Sequence, residues 1–532
     1  MDRRVELLSI VVLYLAVLFI WSMPYRADGM PYGEFDATSH FMVADYMTTQ
    51  DSSYMELPPY IALRYGLDNA FKPHTLWYHP PYHTNFAIMQ VLSGDRVLGV
   101  YLMNTLLSSS IVLILFFVMR SLYGYWAGIL SALLVSFSMR DIMVFLWGQW
   151  PERIGQALIP LVLFVYYQYT KSYLEGKEDR RYAYLFGVLL AVNLYMHPVS
   201  FFHSIAALVI YTIYLFVKHR KIPWNWKNIG ISAAIFIVLL AIFPFQTGNV
   251  IASFIGKEQT SATTPDFSRL FYWFKTPSEL PGVPASYFSF SLMHGLWTLP
   301  FLLLGIIILL IRRQDKDMLL LSWLIGLYLV LHADVIGKGP FIHRSLAASA
   351  HIFVPLTVLG ALSIASFFKK DVRKYAKIGV IIVFILLALF INGRTGVYGA
   401  KDSSGNVVLL GLNDVKQYSH RLNQAQYDAA DWMRTNLPQD LNVTNVGVID
   451  LNTARWIAGV SQHINTPYAP KTDNFPAREE FDPYLLMDYS VLPYLVNQET
   501  LDLFLGWEHD MLVNDTLIYN ENNVRIYAIR PT

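Results

Sequence analysis

Cysteine is absent from all 532 residues. That excludes a disulfide framework and any thiolate metal site, and leaves the redox compartment unread. Charge is scarce: Asp, Glu, Lys and Arg make up 15% of the chain, against about 25% in ordinary soluble domains. A basic excess is lacking too. The formal net charge is +1, so a nucleic-acid partner, which calls for a positive surface, is not expected. The chain shows no low-complexity tract, no repeat of fixed period and no A-x-A-like cleavage site between its first apolar run and Pro24. Apolar residues fill the space instead, 54% hydrophobic and 15% aromatic. This composition predicts a multi-pass protein of the cell membrane.

Runs long enough to cross a bilayer, roughly 17 to 25 residues of mostly apolar helix, fall near residues 6–23, 99–119, 125–146, 154–170, 182–197, 199–217, 228–246, 288–311, 318–333, 345–368 and 378–392. They predict about eleven transmembrane helices. Lys and Arg gather in alternate connections (MDRR, Arg120, KSYLEGKEDRR, KHRKIPWNWK, RRQDKD and KKDVRKYAK). The tendency of such residues to stay inside places the amino terminus in the cytoplasm, and an odd number of spans then places the carboxyl terminus outside. Residues 1–392 read as the membrane domain, with a long first external loop at 24–98. Residues 393–532 read as an extracytoplasmic domain. That tail holds 10 Lys plus Arg against 17 Asp plus Glu, and both N-x-[ST] sequons, Asn442 and Asn514. Within it AQYDAADWMRTNLP predicts a helix ended at Leu437-Pro438, NVTNVGVID a strand, and TLIYNENNVRIYAIRP a hairpin around Asn520–Asn523. A small α/β domain is expected.

The first loop begins GEFDATSHFMVADYM, with Glu34, Asp36, His40 and Asp45. Asp36 and His40 share a face if the segment is helical. A carboxylate held there can take a proton from an attacking group or coordinate a metal, and an imidazole beside it can orient it; the alternative is that these groups are simply solvated. Asp45 reads as solvated and Glu34 as a helper of Asp36. Further along comes HTLWYHPPYHTNF, where His74, His79 and His83 stand among Trp77, Tyr78 and Tyr82. Pro80-Pro81 reads as a fixed turn lined with rings. Trp77, Tyr82, His79 and His83 are candidates for sugar or lipid contact, and an aromatic belt at the headgroup level is the alternative. The H-x4-H-x3-H spacing is not a specific zinc signature.

These residues resemble a family, the polytopic glycosyltransferases of the C-type (GT-C) fold, which take a sugar from a polyprenyl-phosphate carrier outside the membrane. The layout is similar over nearly the full length. DATSHFMVADYM is similar to the Asp-x-x-x-His segment of oligosaccharyltransferase catalytic subunits, which implies a catalytic role for Asp36 supported by His40. HPP resembles the first-loop motif of protein mannosyltransferases and lipid A aminoarabinose transferases. SMRDIMVFLWGQWPERIG looks like the second external loop of the oligosaccharyltransferases, where acidic residues bind the metal. The resemblance thus implies a divalent cation, Mg or Mn, on Asp36 and Glu152, although the Asp-x-Asp form is missing. Arg344 in GPFIHRSLAASAHIFVP, with His343 beside it, would hold the donor phosphate; snorkelling to the headgroups is the alternative. Where the oligosaccharyltransferases carry Trp-Trp-Asp-Tyr-Gly, which reads the acceptor sequon, this chain reads VIDLNTARWIAG.

Arg140 and Asp141, near the outer end of the third run, read as a functional or a mutually neutralising pair. His197-Pro198 would line the same cavity or form a tight turn, and Lys338 and Asp334 are weaker companions of Arg344. The long third loop with Glu258, Asp266 and Glu279 reads as a lid or as disorder. The function expected is an inverting, hexosyl-type transfer from a polyprenyl-phosphate-linked sugar to an external acceptor, whether glycan, lipid or protein. A transporter or flippase of lipid-linked sugars, and an oligosaccharyltransferase-like protein glycan transferase, are the alternatives.

Overall fold

In a computed structural model of the chain, the described residues of the eleven apolar runs are mostly helical, although some runs are divided between two helices. Hydrocarbon leaves the backbone no water to bond, so it must bond to itself. The structure describes all residues except 1, 28, 34, 51, 54–57, 65–77, 257–288, 333–341, 402–403, 406, 414–420, 440, 448–450, 469–476, 492–495 and 531–532. The main helices are α1 (Arg3–Trp21), α2 (Phe35–Thr49), α3 (Pro80–Ser93), α4 (Arg96–Tyr123), α5 (Tyr125–Ser136), α6 (Met139–Leu146), α7 (Trp150–Leu174), α8 (Arg180–Met196) and α9 (Pro198–His219). There follow α10 (Trp226–Ile242), α11 (Pro244–Gly256), α12 (Thr298–Arg312), α13 (Asp315–Leu331), α14 (Ile342–Ile364), α15 (Lys370–Leu387), α16 (Gln424–Asn436), α17 (Leu451–Ser461) and α18 (Gln498–Leu512).

Among the described residues five stretches are long and apolar enough to cross a membrane, in α1, α4, α9, α14 and α15, and the bent pairs α5–α6 and α10–α11 raise this to seven. The runs at 125–146 and 228–246, read from sequence as single spans, are therefore each broken, by 45° and 102°. Apolarity alone cannot show such a break. Ser138 makes the first by accepting a hydrogen bond from the Asp141 amide at the start of α6, and Pro244, which cannot continue a helix ladder, opens α11 after the second.

The basic connections meet at one end. Arg120 pairs with Glu6 at 2.5 Å, Lys218 with Asp315 at 2.5 Å, Arg312 with Asp317, and Tyr123 donates to Asp317 at 2.9 Å. At the other end lie the first loop, the α6–α7 corner and the starts of α9 and α14. The tail is joined there as well: Leu422 N donates to Pro31 O, and Tyr32 bridges to Arg421.

In the tail, β1 (Ala400–Lys401) pairs with β2 (Val407–Leu409). A five-stranded mixed sheet runs β4 (Asn465–Tyr468), β3 (Val443–Val446), β5 (Tyr484–Asp488), β7 (Val524–Ala528), β6 (Thr516–Glu521), with β3 parallel to β4 and β5 and the other pairs antiparallel. The β6–β7 hairpin turns at Asn522 and Asn523, both at positive φ, 52° and 65°, which a tight turn of this hand needs and asparagine tolerates. Helix α17 crosses from β3 to β4 and lies on α2. Trp456 Nε1 donates to Gly33 O at 2.9 Å, its ring is 5.7 Å from Phe41, and a Cβ on Gly459 would meet Met42 at 3.2 Å.

Asp45, expected from sequence to be solvated, is completely buried under this contact. Its oxygens take Arg96 Nε at 2.8 Å and Nη2 at 2.6 Å, and Gln462 Nε2 at 2.8 Å. A surface helix read alone gives no sign that a segment four hundred residues away will cover it. Breaking a buried pair while leaving one charge costs about 3–5 kcal/mol. Asp45→Ala is therefore expected to lower the melting temperature and let a protease release the tail, while Asp45→Leu with Arg96→Met recovers most of the loss; equal melting of Asp45→Ala and wild type would contradict this.

Candidate active site

Asp36 stands half-buried in the first turn of α2, where the free amides of a helix start favour a negative charge. Two glycines let a second segment rest on that turn. A Cβ on Gly148, at φ +84°, would lie 2.4 Å from Ala37 N, and one on Gly33, at φ +120°, 2.5 Å from the Ala37 Cβ. The α6–α7 corner thus sits directly beside Asp36. It continues into Trp150, fully buried, whose indole donates to Phe145 O at 2.8 Å and lies 6.2 Å from the His40 ring. Two residues on is Glu152, buried in the first turn of α7, with a carboxylate oxygen accepting from Gln156 Nε2 at 2.8 Å. The Ser200 hydroxyl donates to the Glu152 carbonyl at 3.3 Å, and Gly155 leaves room for Ser200 and His197, so the start of α9 joins the same corner.

On the other side of α2, Pro80 and Pro81 open α3 rather than forming a turn; the first helical positions have no amide partner to lose. His83 Nε2 lies 3.0 Å from His40 Nδ1, and the rings of Tyr78 and Tyr82 meet His40 edge-on at 5.2 and 5.1 Å. His79, Tyr82 and His83 are buried rather than displayed on an open face, and His79 Nε2 is 3.2 Å from Thr247 Oγ1 on α11. Burial, with smaller contributions from Tyr78 and Asp36, holds the Tyr82 phenol well above its usual range, which puts the Asp36 charge within electrostatic reach of this cluster.

Behind the corner lie groups that the sequence reading did not connect. Arg140 and Asp141 do not neutralise each other. Arg140 Nε donates to His294 Nε2 at 3.2 Å. Asp141 Oδ1 meets His351 Nε2 of α14 at 2.8 Å and Arg153 Nε of α7 at 3.2 Å, all three side chains buried. Arg153 also bonds the Ser108 carbonyl and lies over the Trp21 ring at 4.2 Å. The available signal was an ionisable residue within an apolar run, twice over, at Asp141 and His351. Arg344 and His343 fall in the first turn of α14, at the same end, with side chains outside the described set; Ser349, further along, is 3.5 Å from His294. Glu34, Trp77, His74, Lys338, Asp334 and the third loop with Glu258, Asp266 and Glu279 lie outside the described residues. Among the described residues no three His, Asp or Glu side chains are grouped to hold a metal ion.

A family model, described as a family of unknown function (DUF6541), matches residues 2–448. No curated protein matches the sequence. Among solved structures, the oligosaccharyltransferase of Archaeoglobus fulgidus superposes with a TM-score of 0.57 at 14% identity, over 92% of this chain and 70% of that one. ArnT from Cupriavidus metallidurans, bound to undecaprenyl phosphate, gives 0.57 at 9% over 100% and 99%. The mycobacterial arabinofuranosyltransferase AftD gives 0.53 at 15% over 100% of this chain and 40% of its own. The chain has the fold of these GT-C membrane enzymes.

Burial lowers the imidazole of His79 to about 4 and that of His83 to about 3, from about 6.5 in the unfolded chain. Both are neutral in the folded protein at pH 7. Because the unfolded state binds the proton more readily, their contribution is intact above pH ~6.5 and is lost as pH falls toward the folded values, by about 1.4 kcal/mol per pH unit for each group. His83→Gln is therefore expected to flatten the melting-temperature profile between pH 6.5 and 4, and an unchanged profile would argue against this burial.

Proposed function

The chain belongs to the DUF6541 family, and we propose that it is a membrane glycosyltransferase that moves a sugar, of hexosyl type, from a polyprenyl-phosphate-linked donor to an acceptor on the external face of the cell membrane. The observation that carries this reading is a carboxylate at each of two helix starts, Asp36 on α2 and Glu152 on α7, with the α6–α7 corner packed by Gly148 against Ala37 beside Asp36, on a GT-C fold. The related structures supply the donor chemistry: the archaeal oligosaccharyltransferase was solved with a dolichol-phosphate and an inhibitory peptide, and ArnT with undecaprenyl phosphate.

In this mechanism Asp36 takes the proton of the acceptor hydroxyl as that oxygen attacks the anomeric carbon, and the carbon–oxygen bond to the lipid phosphate breaks on the opposite side. A single displacement of this kind inverts the anomeric centre. Arg344, with His343, holds the leaving phosphate, for which a planar guanidinium is well shaped. His40, fixed by His83, orients the Asp36 side of α2, and Glu34 adds negative charge. Trp77 offers a ring to the sugar, while His79, Tyr82 and His83, being buried, hold α3 against α2. Asp36 and Glu152 are oxygen donors of the kind Mg or Mn accepts, and a cation shared with a phosphate needs only one or two protein carboxylates; bound there, it would neutralise phosphate charge. The external orientation rests on the basic connections at the opposite end.

A transporter of lipid-linked sugars is the competing class. Such proteins place binding charges near the bilayer midplane, whereas Asp36, His40 and Glu152 gather at one end of the bundle. The test is transfer of label from polyprenyl-phosphate hexose, in mono- and diphosphate forms, to glycan, lipid and peptide acceptors in proteoliposomes. Asp36→Asn is expected to lower kcat by about 10²–10⁴-fold, the range for a lost general base, with donor KM little changed; Arg344→Ala should raise donor KM instead. Full turnover by Asp36→Asn would sink the assignment, and flux of donor without transfer would favour the transporter.

A further inference from the structure

The proposed chemistry uses neither sequon, and the fold treats the two very differently. In Asn442-Val443-Thr444 the asparagine is half-buried and the next two residues are completely buried in β3, between β4 and β5. Thr444 Oγ1 donates to Asp482 Oδ2 at 2.9 Å and accepts from Asp482 N at 2.9 Å. A bulky group on Asn442 would have to leave from the start of an interior strand.

Asn514-Asp515-Thr516 lies instead in the turn between α18 and β6, with Asn514 and Thr516 exposed. Only the middle residue faces inward. The Asp515 carboxylate takes Arg478 Nη1 at 2.6 Å, Arg478 Nη2 at 2.7 Å and the Arg530 amide at 2.9 Å, so the turn is clamped from within and Asn514 is left outward. The strand it opens, β6, is the edge of the sheet. Beside it Val513 and Leu517 are 68% and 44% exposed. An open edge with apolar side chains is a template for pairing with another chain, and folded proteins cover such edges.

We propose that Asn514 carries an N-linked glycan that shields the β6 edge, while Asn442 stays bare. The inference rests on the external orientation of the tail in the functional reading. The modification joins Asn514 Nδ2 to the anomeric carbon of a lipid-linked oligosaccharide and breaks that carbon's bond to the lipid phosphate. The amide proton passes to the base of a separate oligosaccharyltransferase, and the phosphate leaves on its lipid.

The full-length protein is purified from its native membranes and its peptides are mapped by mass spectrometry. A glycan mass on the Asn514 peptide, lost in Thr516→Val, with an unmodified Asn442 peptide, is the expected result. A bare Asn514 overturns the proposal, and a glycan on Asn442 overturns the selectivity argued from burial. Since the chain has no cysteine, Asn514→Cys is a single label site for a membrane-impermeant maleimide on intact cells. Labelling there together with a bare wild-type Asn514 defeats the glycan and keeps the orientation; labelling only after permeabilisation defeats the orientation, and the glycan with it. Asn514→Gln is expected to raise the sedimentable fraction at least twofold, and unchanged solubility removes the shielding role.

Discussion

A single buried carboxylate holds the candidate site in register. Asp141 sits at the start of α6 and is shared by Arg153 of α7 and His351 of α14. A charge removed from water in this way persists only when it is paired, so the three helices have one low-energy arrangement around it. Much of the site depends on that arrangement. The corner between α6 and α7 carries Gly148 onto the first turn of α2, beside Asp36, and Glu152 is the residue next to Arg153. The start of α14, where Arg344 lies, is brought to the same end by its His351. The bonds of Arg153 to Ser108 and its stacking on Trp21 extend the same constraint to α4 and α1.

A second buried carboxylate does for the tail what Asp141 does for the bundle. Asp45 lies on the helix that bears Asp36, and through Arg96 and Gln462 it fixes α2 to the start of α4 and to the end of α17. Trp456 and Gly459 close the apolar part of that contact. The helix carrying the candidate base is therefore held on two sides, by the α6–α7 corner and by the tail. Neither contact leaves it the freedom of a surface loop, and that rigidity is what a positioned proton acceptor requires.

The fold is shared with enzymes of only 9–15% identity, which has a physical basis. A helix in a membrane needs apolar length far more than a particular sequence, so the scaffold persists while its residues change. Positions that hold charge away from water are more demanding, because each needs a partner within reach. The second corner reads WGQWPER, with its one carboxylate at Glu152. The helix Leu451–Ser461 of the tail packs on α2, with Trp456 against Phe41.

Much was legible without coordinates. Apolar length placed the helices, the Leu437-Pro438 stop ended α16, and the asparagine-rich turn between two alternating arms located the β6–β7 hairpin, because each is governed by residues close together in the chain. The helix with Asp36 and His40 on one face was legible for the same reason. The breaks within α5–α6 and α10–α11 were not, since a serine cap or a proline interrupts a run without changing its apolarity. Nor were the partners of Asp45, Asp141 and Arg140, which come from segments up to several hundred residues away. The sequence by itself determined which groups are expensive to bury; the tertiary structure alone decided which partners make burying them possible, because pairing depends on where distant segments meet.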